Sequence, residues 1–519
     1  MQAAKRIAKN TAILYVRMAV TVLISLYSTR LILGSLGTED FGLFNVVGGL
    51  IAMLGFLNAC MAEATQRFMS YAQGEGDIAK IKKIFNVSIL LHFIIASCLL
   101  LFLEISGYFF LNYVLNIPPD RLHAAQAIYQ FMIISTLFTV ISVPYDAVIN
   151  ARENMFLFAI LGIFESALKL IIAFAIFQAE GDKLILYGSL MAILSILLLF
   201  IRVYYCRKTY DECELAIKKH FDSKLMKELS VFAGWSLLGY STGMMAFYGQ
   251  GILLNIFFGT VANAAQGVAT QVSGQLGTFA HILLRALNPT IAKSEGSGDR
   301  DAMIKTVMFG SKISYYLLII LYIPMIIEMP FILKLWLKDV PEFTVIFCQL
   351  LLVRNLVEQI FLTLVTAISA VGNIKKYQLI GAFISIFPLL VTYLVFDNGY
   401  PPYALYYVYI LYSVAMAANI LYFSNQLFQL PVNAFLYNVA FRCTLTTIIC
   451  LVIAALPLLV LDPGLYRISA VSLLSLLSFL MIAWNIGLSA QERHDAGQLV
   501  NHFLSGYRPK FRRLINHYL

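Results

Sequence analysis

Two pairs of opposite charges stand inside long apolar runs, Glu165 with Lys169 and Arg354 with Glu358, each four residues apart. On a helix that spacing puts both partners on one face. Each pair is therefore either a self-neutralised ion pair that lowers the cost of burial or a polar opening in hydrocarbon. On the second reading Lys169 and Arg354 attract an anionic group, while Glu165 and Glu358 bind a coupling cation, Na+ or H+. Arginine reads phosphate better than lysine does, because its planar fork pairs with two oxygens at once. A third cation, Arg17, begins a polar stripe that continues through Thr21, Ser25 and Ser28 at helical spacing. This stripe predicts a cavity wall, with Arg17 as a further substrate-binding cation. Gln266, Thr270, Gln271 and Gln275 form a segment too rich in polar groups to face lipid, which predicts a border with water. Glu63, Arg67 and Arg285 fall near inner helix ends and are expected to be solvated or snorkelling charges. The seven cysteines lie mostly in apolar runs without a CxxC pair, so they read as packing residues. No catalytic constellation, metal-ligand set or nucleotide-binding loop stands out, and the expectation is a protein that is not an enzyme and needs no metal.

These groups must be held by membrane helices. The chain of 519 residues is 60 % hydrophobic and only 13 % charged, against ~25 % charged in ordinary soluble domains. A bilayer core ~30 Å thick needs ~20 mostly apolar residues at 1.5 Å each. About fourteen such runs are present, the first from Thr11 to Leu33 and the last from Arg467 to Leu488. The second runs from Phe41 to Ala62, and the seventh and eighth from Leu229 to Phe257 and from Ala262 to Leu284.

The formal charge of +9 comes from 37 Lys and Arg against 28 Asp and Glu. Placing the N-terminus inside puts most of these cations in inner segments, leaving Arg30, Arg121, Lys183, Lys334, Lys338 and Arg467 outside and Arg17, Lys169 and Arg354 within spans. That bias predicts an even number of spans with both termini cytoplasmic. It also accounts for the basic balance through anionic inner-leaflet lipids, so no nucleic-acid partner is required.

Sliding the chain along itself until Gly37 falls on Gly259 also places Gly74, Gly76 and Asp77 on Gly296, Gly298 and Asp299. The repeat relates runs separated by six spans, which keeps their direction across the membrane. It therefore predicts two parallel six-helix bundles, a recurring transporter plan. The resulting reading is all-α and polytopic: a bundle over residues 1–206, a cytoplasmic linker over 207–228, a second bundle over 229–430, two further membrane helices over 431–490 and a basic cytoplasmic tail over 491–519.

Three segments carry a family resemblance: LILGSLGTEDFGLF (Leu31 to Phe44), SYAQGEGD (Ser70 to Asp77) and AREN (Ala151 to Asn154). They resemble the Wzx-type polysaccharide and oligosaccharide flippases, of the larger superfamily that includes the multidrug and toxin extrusion (MATE) exporters. The resemblance implies a bacterial inner-membrane transporter that flips an undecaprenyl-diphosphate-linked oligosaccharide by alternating access, for surface polysaccharide such as O-antigen. Its expected partners are the lipid-linked glycan, membrane lipids and polysaccharide-assembly proteins. The rival expectations are a MATE-like ion-coupled exporter of small molecules and, from a different class, a membrane glycan polymerase or ligase.

Overall fold

The computed structural model describes residues 2–52, 55–111, 119–337, 340–489 and 492–494. Helices follow one another in chain order: α1 (Gln2–Ala52), α2 (Gly55–Glu75), α3 (Ile78–Phe109), α4 (Leu122–Ala151), α5 (Met155–Gln178), α6 (Lys183–Thr209), the short α7 (Ile217–His220) and α8 (Ser223–Gly296). They continue as α9 (Arg300–Leu337), α10 (Thr344–Val371), α11 (Lys375–Asp397), α12 (Ala404–Phe428), the short α13 (Val432–Phe435), α14 (Arg442–Ala454) and α15 (Leu465–Ile482). No strand occurs among the described residues. The all-helical membrane architecture expected from the apolar runs is thus present.

Ten helical stretches among the described residues are long and apolar enough to cross a membrane. The other four expected spans fall on α1, α2 and α8, and of these α1 and α8 each run through a break. Within α1 the break is Gly37, at φ 78° and ψ 174°; within α8 it is Gly259, at φ 71° and ψ −163°. These two glycines are repeat partners, and both occupy backbone space that a side chain disfavours. The same holds at the turns after α2 and α8, where Gly76 has φ 75° and Gly298 has φ 76°. The next residues are equivalent too: Asp77 accepts from the Lys80 amide (2.9 Å) and Asp299 from the Ala302 amide (3.0 Å), each capping the following helix. Backbone punctuation therefore repeats in the register read from the sequence.

The contacts divide the chain into two compact units. The first comprises Met1–Tyr248, His281–Val307 and Leu364–Phe387; the second comprises Gly249–Ala280, Met308–Thr363 and Pro388–Leu519. In the first unit, α4 and α6 pack around Ile128, Tyr129, Ile133, Leu184 and Leu194, joined by Ala173 and Ile176 of α5. Gly107 of α3 makes this packing possible, since a Cβ there would lie 2.1 Å from the Tyr129 ring. In the second unit, α15 is fixed to α9 by Arg467, whose Nε and Nη2 bond the fully buried Glu328 at 2.8 and 2.9 Å.

The stretch 207–228, expected as a cytoplasmic linker, is bonded to helices of the first unit. Arg207 and Lys208 end α6, and the acids that follow fold back on the first unit. Glu212 is held by Arg152 at 2.6 and 2.8 Å, Glu214 by Lys82 at 3.0 Å and Asp222 by Lys83 at 3.3 Å. Asn86 of α3 also bonds the backbone of Glu214 and Ala216. Of the expected tail 491–519, only Glu492 to His494 lie among the described residues, and Glu492 closes on the buried Lys312 of α9 at 2.7 and 2.8 Å.

Candidate functional site

In the first unit, α5 presents Phe158 and, one turn later, Gly162 to a cationic pair. The Arg17 guanidinium of α1 lies 4.3 Å from the Phe158 ring centre and that of Arg285, from α8, 3.7 Å from it. Both distances fit cation–π attraction. A Cβ on Gly162 would lie 2.1 Å from Arg17 Nε, so only glycine leaves room for the guanidinium here. Neighbouring carboxylates are already committed: Asp146 binds Arg202 at 2.9 Å, and Glu165 binds Lys169 at 2.7 Å. Arg17 is half-buried and Arg285 is exposed. Two guanidiniums on one aromatic ring, their nearest acids bound elsewhere, form a place where negative charge is attracted and paired bidentately.

Arg285, expected to be a solvated or snorkelling charge, is exposed, and its guanidinium in addition lies against the Phe158 ring. The repeat contained a clue, because Arg285 occupies the position equivalent to Glu63 of α2. Glu63 accepts from the Tyr240 hydroxyl at 3.1 Å. Phe158 carried no signal at all, being one more aromatic in an apolar run. Arg67 does not snorkel. It donates to the Ala370 carbonyl at 2.8 and 3.1 Å and to that of Val371 at 3.1 Å, capping the end of α10.

The remaining candidates are spread more widely. Lys169 and Glu165 form an i, i+4 pair in the first unit, both partly exposed. Along the α1 stripe, Thr21 donates to the Met18 carbonyl and Ser28 to that of Ile24, while Ser25 is exposed. Two of its hydroxyls are therefore bound to their own helix. Arg354 and Glu358 belong to the second unit and pair at 2.8 Å. Also there, Gln266 packs over Gly251, Thr270 is half-buried, and Gln271 and Gln275 are exposed.

The AREN corner between α4 and α5 is structural. Arg152 holds Glu212, Glu153 accepts from Lys293 at 2.8 Å, and Asn154 caps α5 through the Leu157 amide. Asp40, in the first resemblance segment, bonds Arg121, which also reaches Asp182 at 3.0 Å. Six of the seven cysteines are buried and none of them forms a disulfide among the described residues.

No protein-family model matches the chain, and no curated relative does. Solved structures do. A MATE transporter in its straight conformation matches with TM-score 0.70 at 12 % identity, over 83 % of this chain and 97 % of its own. An outward-facing multidrug resistance MATE family transporter of the MOP superfamily matches with TM-score 0.66 at 12 % identity, over 83 % and 96 %. A MOP superfamily transporter from Pyrococcus furiosus matches with TM-score 0.69 at 12 % identity, over 83 % and 96 %. The chain has the fold of the MATE transporters.

Proposed function

We propose that this protein is a membrane transporter for an anionic lipid-linked oligosaccharide, flipping an undecaprenyl-diphosphate-linked glycan between leaflets by alternating access. The observation that carries the reading is the Arg17–Phe158–Arg285 cluster, with both guanidiniums against one ring. A diphosphate needs paired, directional cations, and here two stand together with their neighbouring acids occupied by Arg202 and Lys169. Two six-helix bundles followed by two further helices would supply the moving parts, coupled to Na+ or H+ in a bacterial inner membrane with both termini cytoplasmic. Polysaccharide-assembly proteins would receive the product.

The second reading, a MATE-like exporter of small molecules, draws on the fold itself. Pocket charge is the feature that separates the two. The Pyrococcus furiosus transporter is described as having a binding pocket of reverse polarity that suggests a different function. In this chain, stacked arginines favour an anion over a cationic drug.

The deciding measurement is the leaflet occupied by lipid-linked glycan in cells with and without the protein. Deletion is expected to strand the glycan in the inner leaflet, and the Arg17→Ala, Arg285→Ala double variant is expected to restore under a tenth of wild-type flipping. Normal glycan export in deletion cells, with lost resistance to cationic drugs, would establish the exporter instead.

A further inference from the structure

The second unit contains a polar network whose charges cancel. Arg354 of α10 pairs with Glu358 at 2.8 Å, and Glu358 also accepts from the Ser413 hydroxyl of α12 at 2.7 Å. The same guanidinium lies 5.0 Å from the Tyr409 ring centre and 5.7 Å from that of Tyr412. One residue along α10, Asn355 donates to the Ser273 hydroxyl of α8 at 2.6 Å and to that of Tyr322 of α9 at 3.4 Å. Four helices thus contribute amide, hydroxyl, carboxylate, guanidinium and aromatic groups to one cluster.

Its exposure is one-sided. The Arg354 side chain is 17 % exposed, whereas that of Glu358 is 40 % exposed. A carboxylate so placed near the middle of a membrane helix faces water, because facing lipid would cost several kcal/mol. The cluster therefore has an accessible polar edge and a closed back.

An anion gains little here, since Glu358 already cancels the charge of Arg354. A sugar is better suited. Its vicinal hydroxyls both donate and accept, matching a carboxylate beside a guanidinium and an amide, and its flat C–H face can stack on the partly exposed Tyr412 ring, which the fully buried Tyr409 backs. Convergent polar groups against aromatic walls are also what a specific ligand site requires. We propose that the Arg354–Glu358–Tyr412 cluster is a glycan-binding subsite that recognises the uncharged sugar of the cargo rather than its phosphates. This proposal rests on the flippase reading above and assigns Arg354 a role different from that of Arg17 and Arg285.

The test uses full-length protein in nanodiscs and two kinds of probe: bare undecaprenyl diphosphate, and the same lipid carrying either N-acetylglucosamine or galactose. Wild type is expected to bind at least one glycosylated probe about tenfold more tightly than the bare one, roughly 1.4 kcal/mol. Removing the pair together, with Arg354→Gln and Glu358→Gln, avoids stranding one charge; Tyr412→Leu is an independent variant that leaves the ion pair intact. Both are expected to bring the ratio close to one. A wild type without preference, or variants that keep it, overturns the subsite. Failure of wild type to bind either diphosphate overturns the flippase reading instead.

Discussion

Gly162 is the residue on which the cationic site depends most simply. It carries no chemistry, yet it leaves the space that Arg17 occupies. A methyl group there would lie 2.1 Å from Arg17 Nε, so the guanidinium must shift from its place beside Phe158. Gly162→Ala is expected to weaken binding of undecaprenyl diphosphate about tenfold, with little change in thermal unfolding, because alanine suits a helix better than glycine does. Equal affinities in the two proteins, measured in nanodiscs, would show that the cluster does not hold the headgroup. At this scale the sequence was legible only in part. It picked out Arg17 because one charge in an apolar run is conspicuous. It placed Arg285 as a solvated or snorkelling charge, which its exposure fits, but carried no sign that α5 brings Phe158 under it. Pairings at i, i+4 were legible because one helix fixes them, whereas the Phe158 stack requires three helices to meet.

The ends of α2 and α8 show how elements built from a repeat come together. A Cβ on Gly74 would lie 2.1 Å from the Lys293 carbonyl oxygen, and one on Gly296 would lie 2.0 Å from that of Tyr71. Gly74 and Gly296 are repeat partners, as are Tyr71 and Lys293, so the contact is reciprocal: each helix offers a glycine to the other's backbone. Lys293 adds its ammonium bond to Glu153 at the start of α5. On the proposed alternating-access cycle with cytoplasmic termini, these ends would have to part when that side opens. Gly74→Ala overpacks the contact at a cost of about 1–3 kcal/mol and is expected to favour parting. Ser70 is fully buried on the same helix. A Ser70→Cys reporter in a background lacking the exposed Cys98 should therefore react with maleimide severalfold faster when Gly74→Ala is added. An unchanged rate would mean that the helix ends yield without separating. The glycine echo was visible in the sequence, since it punctuates loops. Its reciprocity was not, because that depends on how two helices cross.

At the scale of the whole molecule, the apolar runs and their order followed from composition and helix length, whereas the continuation of helix through Gly37 and Gly259 did not, since the runs were expected to end at Leu33 and Phe257. The contacts of the expected linker did not either, because the groups that meet its acids, Lys82, Lys83 and Arg152, lie far from it in the sequence. Bonding to Lys82 holds the Glu214 carboxyl below its usual range, and the Leu225 amide and Lys83 do the same for Asp222. A depressed folded value means that docking is favoured at neutral pH and lost as pH falls through it. Hydrogen exchange across 211–222 is thus expected to speed up on acidification, after correction for intrinsic rates, and Glu214→Gln should reduce that dependence; a flat profile would place the hold elsewhere. The reciprocal contact has one more consequence. Its two halves share their turns, caps and glycines, but at equivalent points one carries Glu63 and the other Arg285. A repeat that keeps its turns and caps, like-signed at Asp77 and Asp299, while inverting the charge at this one pair of positions makes its two halves electrically unequal where their backbones are most alike.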